Sequence, residues 1–261
     1  MARLLTDLSE PNVLRVTLDR PSVHNALDFE MLAELGEAVA QHPQSKVLIL
    51  KGAGSRAFSS GFDLTRLSGT DADLAADDAI GGVVDALRSF PGVSIAQISG
   101  ICQGGATEIA LACDVRIAEE GLSFAFDPIR LGVLYRHEML VRLVELCGVG
   151  RTTDLFFHRP TLDAATAYAW GLISAVVPVG DLDGAVRSVA QRIVAMPDQA
   201  LRGTKRLLAL LREDPALWGG AGEARELRQR VLAGEERRDA LRAARERLDL
   251  KREERADRAE Q

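Results

Sequence analysis

The residues best suited to chemistry are Gly104, Gly105 and Glu108, within the run Ser99-Gly100-Ile101-Cys102-Gln103-Gly104-Gly105-Ala106-Thr107-Glu108-Ile109-Ala110-Leu111-Ala112-Cys113-Asp114. The run starts as a strand and continues as an apolar helical stretch, with the glycines at the junction. Glycine carries no Cβ, so another group can approach the backbone there, and the first N–H groups of a helix have no intrahelical acceptor. Such a junction can bind an anion, or an oxygen on which negative charge develops. A phosphate is one candidate anion. The run, however, lacks the Lys-Ser/Thr of a P-loop and the third spaced glycine of a dinucleotide fingerprint. Glu108 lies three and four residues beyond Gly105 and Gly104, a spacing that brings helix positions onto neighbouring faces. Ala106, Ile109, Ala110, Leu111 and Ala112 predict a buried helix, in which desolvation raises a carboxyl pKa toward a value useful for proton transfer. A solvent-facing glutamate favoured by the helix dipole satisfies the same local pattern.

A second glycine turn follows at Ala57-Phe58-Ser59-Ser60-Gly61-Phe62-Asp63-Leu64. Positioning two such loops requires strands that end beside each other. Asn12 to Asp19 alternates Val/Leu with polar residues and reads as a strand, with Arg15 and Thr17 on one face. Asn25 is expected to cap the next helix, with Asp28 near its positive end and Leu32, Leu35 and Val39 as its apolar stripe. Lys46 to Gly52 and Ser94 to Ser99 are nearly continuous apolar runs, as in strands covered on both faces. Gly69 to Asp78 reads as a mobile loop leading into a helix near Ile80 to Phe90, able to gate a site. Beyond about residue 180 the pattern is helical, with Leu182 to Met196 and Ala200 to Arg212 split by Pro197-Asp198. The Arg/Glu-rich stretch from Arg242 to Gln261 reads as a solvated or fraying helix. Strands alternating with helices make an α/β protein, and 261 residues suffice for one main domain.

With 32 Lys+Arg against 38 Asp+Glu, the net charge of −6 offers no electrostatic reason for the chain as a whole to bind nucleic acid. Cys102, Cys113 and Cys147 are odd in number and lack CxxC spacing, which suits a reducing cytoplasm and suggests neither a disulfide framework nor a zinc site. No segment reaches 18 uninterrupted apolar residues and the first residues lack a signal-peptide core, so neither export nor a membrane span is expected.

The ordered motifs together resemble the enoyl-CoA hydratase/isomerase, or crotonase, superfamily over most of the chain. The matching pieces are Leu18-Asp19-Arg20-Pro21 with Asn25-Ala26-Leu27, the Ala57-Phe58 and Gly61-Phe62-Asp63-Leu64 turn, and Gly100 with Gly104-Gly105 and Glu108. Ala112-Cys113-Asp114-Val115-Arg116-Ile117-Ala118, Leu131-Gly132, and Ala167 with Gly171-Leu172-Ile173 and Val176-Val177-Pro178 continue the match. The resemblance implies a crotonase-like spiral of β-β-α units: an α/β core over 1–180 and a helical C-terminal region over 181–261 that packs in oligomer contacts, in a homotrimer or hexamer. It implies an acyl-CoA thioester as partner, with coenzyme A arriving as part of the substrate and no tightly bound cofactor or metal. By residue-wise matching, the backbone N–H groups of Phe62 and Gly105 form the oxyanion hole, and Glu108 is the acid/base. Ala57, Ser60, Gly61, Asp63, Gly104, Pro128 and Leu134 would contact the substrate, the adenine lying near the Ala57 to Asp63 turn.

Two departures from the pattern bear on the reaction. Typical hydratases use a second glutamate in a Pro-Glu pair, and here that position is Pro128, with Asp127 before it and Glu138 further on. The segment Asp127-Pro128-Ile129-Arg130-Leu131-Gly132-Val133-Leu134-Tyr135 is more similar to the methylmalonyl-CoA decarboxylase branch, which has proline there and a tyrosine after the Leu-Gly turn. That branch carries a histidine where this chain has Phe62. Tyr135 is accordingly a candidate catalytic or pocket-shaping residue, while Arg136 and His137 are expected as solvent-facing residues at a helix start. The Gly69–Asp78 loop, Phe126, Leu134 and Tyr135 are expected to shape the acyl pocket. Three readings follow: a hydratase/isomerase-like catalyst, for which one-base isomerisation fits better than two-glutamate hydration; a decarboxylase of a malonyl-type CoA thioester; and a noncatalytic acyl-CoA binder, distinguished by binding without turnover.

Overall fold

The apolar run at β3 (Val47–Gly52) lies inside a six-stranded sheet and is buried on both sides. Leu48 and Leu50 point into one hydrophobic cluster while Val47 and Ile49 point into a second on the opposite face, the period of two that a strand dictates. Each such leucine taken from water contributes roughly 1.5–3 kcal/mol. The computed structural model describes residues 3–212 and, beyond them, 229, 233–235, 238–239, 241–243, 245–247 and 249–250.

The large sheet runs in the order β1 (Leu4–Asp7), β2 (Val13–Leu18), β3, β5 (Val93–Ile98), β7 (Val115–Glu119), β10 (Ala175–Val177). Its pairs are parallel except the antiparallel edge pair β1–β2. A four-stranded sheet has the order β4 (Ala57–Ser59), β6 (Ile101–Gln103), β8 (Ser123–Ala125), β9 (Thr161–Asp163). The chain enters the large sheet, steps to the small one and then enters a helix. It does so three times: β3-β4-α2 (Leu74–Ser89), β5-β6-α3 (Gly105–Ala112) and β7-β8-α4 (His137–Phe157). This is the spiral of β-β-α units that the resemblance implies. Helices α1 (Phe29–Gln41), α2 and α3 cover one face of the large sheet. On the other, Leu182, Val186, Ala190 and Ile193 of α6 (Leu182–Val194) and Leu201 of α7 (Asp198–Arg212) cover Val13, Val47, Ile49, Ile95 and Ile117. The short helix α5 (Ala164–Ala169) lies between β9 and β10. Because successive β-β steps are parallel, the C-terminal ends of β4 and β6 come to lie side by side.

Two local expectations are corrected. Asp28, not Asn25, caps α1, its carboxylate accepting from the Met31 N–H at 2.9 Å. Asn25 instead adopts a left-handed conformation, and its Nδ2 donates to the Ala53 and Ala57 carbonyls. The expected loop at Gly69–Asp78 is mostly ordered structure: a 3-10 turn at Asp71–Asp73, then α2 from Leu74. Asp73 is buried and accepts from the backbone N–H groups of Ser68 and Gly69, so local hydrogen bonds hold the turn down. In the charged stretch 242–261, expected as a solvated helix, the described residues are helical and exposed apart from Arg245, which is half-buried and donates to the Leu64 carbonyl, at 2.6 Å from Nη2, and to that of Leu67. Residues 251–261 lie outside the described residues.

Candidate active site

Strand β4 runs into the Ser60-Gly61-Phe62-Asp63 loop, which is stitched to the segment before α1. Ser60 N–H donates to the His24 carbonyl (2.9 Å), Leu27 N–H to that of Gly61 (2.8 Å) and Asp63 N–H to that of Leu27 (2.8 Å). Backbone groups alternate in direction along an extended chain, so with Gly61 C=O and Asp63 N–H both spent on Leu27, the Phe62 N–H faces the opposite way. Arg20 braces the loop, donating to the Ala26 carbonyl (2.8 Å) and to Asp63 Oδ2 (3.1 Å). Burial alone would raise the Asp63 carboxyl, but hydrogen bonds from Thr65 and Arg20 outweigh it and hold it below its ordinary value. The Leu18–Leu27 motif is thus the mount of the first glycine loop.

Strand β6 delivers the second loop. Gly104 has φ +58° and ψ −130°, a conformation that a side chain disfavours, and α3 begins at Gly105. Thr107 ties the junction down, its Oγ1 donating to the Gly104 carbonyl at 2.7 Å. The Gly105 N–H belongs to the first turn of α3, whose donors have no intrahelical acceptor. The two loops touch: a Cβ on Gly61, where φ is +86°, would lie 2.6 Å from the Gln103 carbonyl oxygen and 3.5 Å from Gly104 Cα.

Ser60, Gly61, Phe62, Gly104, Gly105, Glu108, Pro128 and Tyr135 line one cavity of about 430 Å³. Among the expected wall residues, Ala57, Asp63 and Leu134 do not line it. Ala57 is buried in β4, Asp63 braces the loop, and Val133 and Tyr135, on either side of Leu134, take its place. Phe126, also expected to shape the pocket, is wholly buried and packs edge-on against Phe124 at 4.9 Å.

Glu108 is 6% exposed, which rules out the solvent-facing alternative. Arg136, expected at an exposed helix start, is buried instead, and its Nε donates to Glu108 Oε1 at 2.6 Å with Nη2 against the same oxygen. Burial alone would pull the Arg136 guanidinium down, but the charge and hydrogen bond of Glu108 hold it above its ordinary value. No short-range pattern announces this pair, because its partners are 28 residues apart. His137 opens α4 and, like Glu138, does not line the cavity.

Tyr135 is buried, with its ring edge-on to Phe156 at 5.8 Å, and among the described residues its hydroxyl has no hydrogen-bond partner. Burial, reinforced by the Glu108 charge and opposed by nearby Thr107, holds the phenol above its ordinary value, so it remains a neutral proton donor at physiological pH. Asp127 lines the cavity beside Pro128 and pairs with Arg130 at 3.4 Å. Burial pushes its carboxyl up against the pull of Arg130 and Arg247. Cys102 and Cys113 are no nucleophiles, since both are fully buried and desolvation pushes Cys113 up to about 12. Among the described residues no cluster suits a metal ion, and no helix is long and apolar enough to cross a membrane.

The geometry agrees with comparisons to known proteins. The enoyl-CoA hydratase/isomerase family model matches residues 9–253. A probable enoyl-CoA hydratase of Mycobacterium bovis is 34% identical over 196 residues, covering 73% of this chain and 75% of that protein. The crystal structure of an enoyl-CoA hydratase/isomerase from Xanthobacter autotrophicus Py2 superposes with a TM-score of 0.83 at 29% identity, covering 96% of this chain and 98% of that one. A methylmalonyl-CoA decarboxylase bound to 2-nitronate-propionyl-CoA superposes with a TM-score of 0.86, covering 94% of this chain and 96% of that one; at 24% identity this is a likeness of fold. With a matched model spanning nearly its whole length and two glycine loops meeting beside a buried glutamate, the chain belongs to the enoyl-CoA hydratase/isomerase family.

Proposed function

We propose that the protein acts on an unsaturated acyl-CoA thioester by forming and discharging an enolate, the net reaction being a shift of the double bond. One observation carries this reading: the buried carboxylate of Glu108 shares a cavity with the two glycine loops, while Pro128, which has no proton to give, stands where a second glutamate is expected. A single carboxylate suffices for isomerisation. Glu108 takes a proton from C2 of a 3-enoyl thioester, and the electron pair moves onto the carbonyl oxygen. The N–H groups of Phe62 and Gly105 offset that charge, which is where preorganised donors contribute most. The electrons then return through the carbon chain, and the same proton, now on Glu108, is delivered to C4. No water is consumed.

Purified protein is expected to convert a 3-enoyl-CoA to its conjugated 2-enoyl isomer, followed by ultraviolet absorbance and chromatography. If no unsaturated acyl-CoA is converted, or Glu108→Gln leaves the turnover unchanged, the mechanism fails. Asp127→Asn separates this reading from hydration. It is expected to leave the double-bond shift in place, whereas a hydration cycle would need a second proton-handling group and Asp127 is the carboxyl that lines the cavity beside Pro128.

The buried Tyr135 hydroxyl, which has no hydrogen-bond partner among the described residues and shares the cavity with Pro128, favours a second reading, decarboxylation of a malonyl-type CoA thioester. There the bond to the carboxylate breaks, carbon dioxide leaves, and its electron pair forms the same enolate, which is then protonated on carbon. Absence of carbon dioxide release across malonyl- and methylmalonyl-CoA would sink it.

A further inference from the structure

Arg136 does not line the substrate cavity. It meets Glu108 away from that cavity, beside a small gap that the two line together with Val84 and Arg88 of α2, Ala112 of α3, and Met139 and Arg142 of α4. Gly81 makes this approach possible: a Cβ there would lie 2.4 Å from Arg136 Nη1. A glycine inside an exposed helix costs about 1 kcal/mol relative to alanine, yet Gly81 is buried in mid-α2, where its missing side chain leaves the space the guanidinium occupies. Arg136 is itself the residue before the first turn of α4, with no side-chain capping bond, so its side chain is not engaged in starting that helix.

We infer that Arg136 is a positioning residue for the reaction, holding the Glu108 side chain toward the cavity as an anion and thereby assigning it the part of proton acceptor in the first step. The inference rests on the enolate reading above and goes beyond it, since that reading needs an ionised Glu108 but names no group that keeps a buried carboxyl ionised. The guanidinium bonds Glu108 Oε1, while the glutamate itself lines the cavity that Arg136 does not reach. It also opposes the effect of burial, which by itself would favour the neutral acid. Removing the guanidinium charge makes ionisation of Glu108 harder, so the acid limb of any Glu108-dependent rate moves to higher pH.

Other charges face the pair. Asp85 and Arg88 of α2, with Glu138 and Arg142 of α4, surround Arg136, while Asp77, Asp127 and Tyr135 face the cavity side. All are retained in variants at position 136, so their contributions are common to both sides of the comparison.

The test is exchange of the α-hydrogens of butyryl-CoA with D2O, followed by NMR from pH 5 to 9, which reports enolate formation without any net reaction. The acid limb is expected to move up by about 1–3 pH units in Arg136→Met, and to return most of the way in Arg136→Lys, which keeps the charge. Gly81→Ala, whose methyl displaces the guanidinium without deleting it, should move the limb the same way by less, and it serves if Arg136→Met does not fold. A uniform loss at every pH, unrescued by lysine, would show a purely structural role and overturn the inference. No exchange by the wild type, or full exchange by Glu108→Gln, overturns the enolate reading instead. The pair is then judged by the double-mutant cycle of Glu108→Gln and Arg136→Met in urea unfolding: a coupling of about tenfold or more in the folding equilibrium is expected, and additivity refutes it.

Discussion

Glu108→Gln is expected to lower turnover by about 10²–10⁴-fold, the usual contribution of a positioned acid/base group, and separately to weaken the fold. The two effects have different origins. Glutamine keeps the shape of the side chain and its place in the wall of the cavity, but it cannot accept the substrate proton. It also leaves the buried Arg136 guanidinium without its counter-charge, and breaking a buried pair by removing one partner costs about 3–5 kcal/mol. Glu108→Gln combined with Arg136→Met removes the stranded charge, so most of the lost stability should return while turnover stays low. Urea unfolding midpoints and initial rates on the same preparations separate the terms. A single variant with full stability would mean that the pair carries little coupling; a double variant with restored activity would remove Glu108 from the chemistry.

The second large effect is expected at Gly61→Ala. The alanine Cβ would lie 2.6 Å from the Gln103 carbonyl oxygen, a backbone atom that cannot swing aside, and φ is +86°, a conformation that alanine disfavours. Relief requires the two loops to part, which carries the Phe62 N–H away from the Gly105 N–H. Losing one oxyanion donor lowers kcat by about 10²–10³-fold, and a comparable loss is expected here, with little change in KM for the coenzyme portion. Phe62→Ala is the control, because an amide is donated by the backbone whatever the side chain. It removes the edge contact with Phe29 at 5.2 Å but leaves the N–H in place. If Phe62→Ala were the more damaging of the two, the role assigned to the backbone would be wrong.

The parts of the fold legible in the sequence are those set by local periodicity. Val13–Leu18, Val47–Gly52 and Val93–Ile98 are strands where alternation or a doubly covered apolar run requires them. Helix α6 occupies the expected Leu182 region, and α7 starts just after Pro197. Errors arose where two local signals compete. Asn25 and Asp28 are both good N-caps, and only the pull of the Ala53 and Ala57 carbonyls on Asn25 decides between them. The Asp- and Ala-rich start of α2 hides its helical period until Leu74, Ala76 and Ile80 are seen to face the core. β1 has no strand signature in the sequence because a four-residue, mostly exposed edge strand has little apolar pattern to show.

The site divides along the same line. By itself the sequence determined the two glycine loops and the glutamate after the second, since these depend on residue type and spacing within one short segment each, and the resemblance it carries marked Pro128 as standing in place of a second glutamate. Only the tertiary structure decided that Arg20 and Asn25 mount the first loop, that Tyr135 rather than Leu134 faces the cavity, and that Arg136 lies on Glu108. The physical reason is that burial and ion pairing belong to the packing of α2, α3 and α4 against one another. An arginine at a helix start reads as solvated until a glycine on another helix is found to have made room for it.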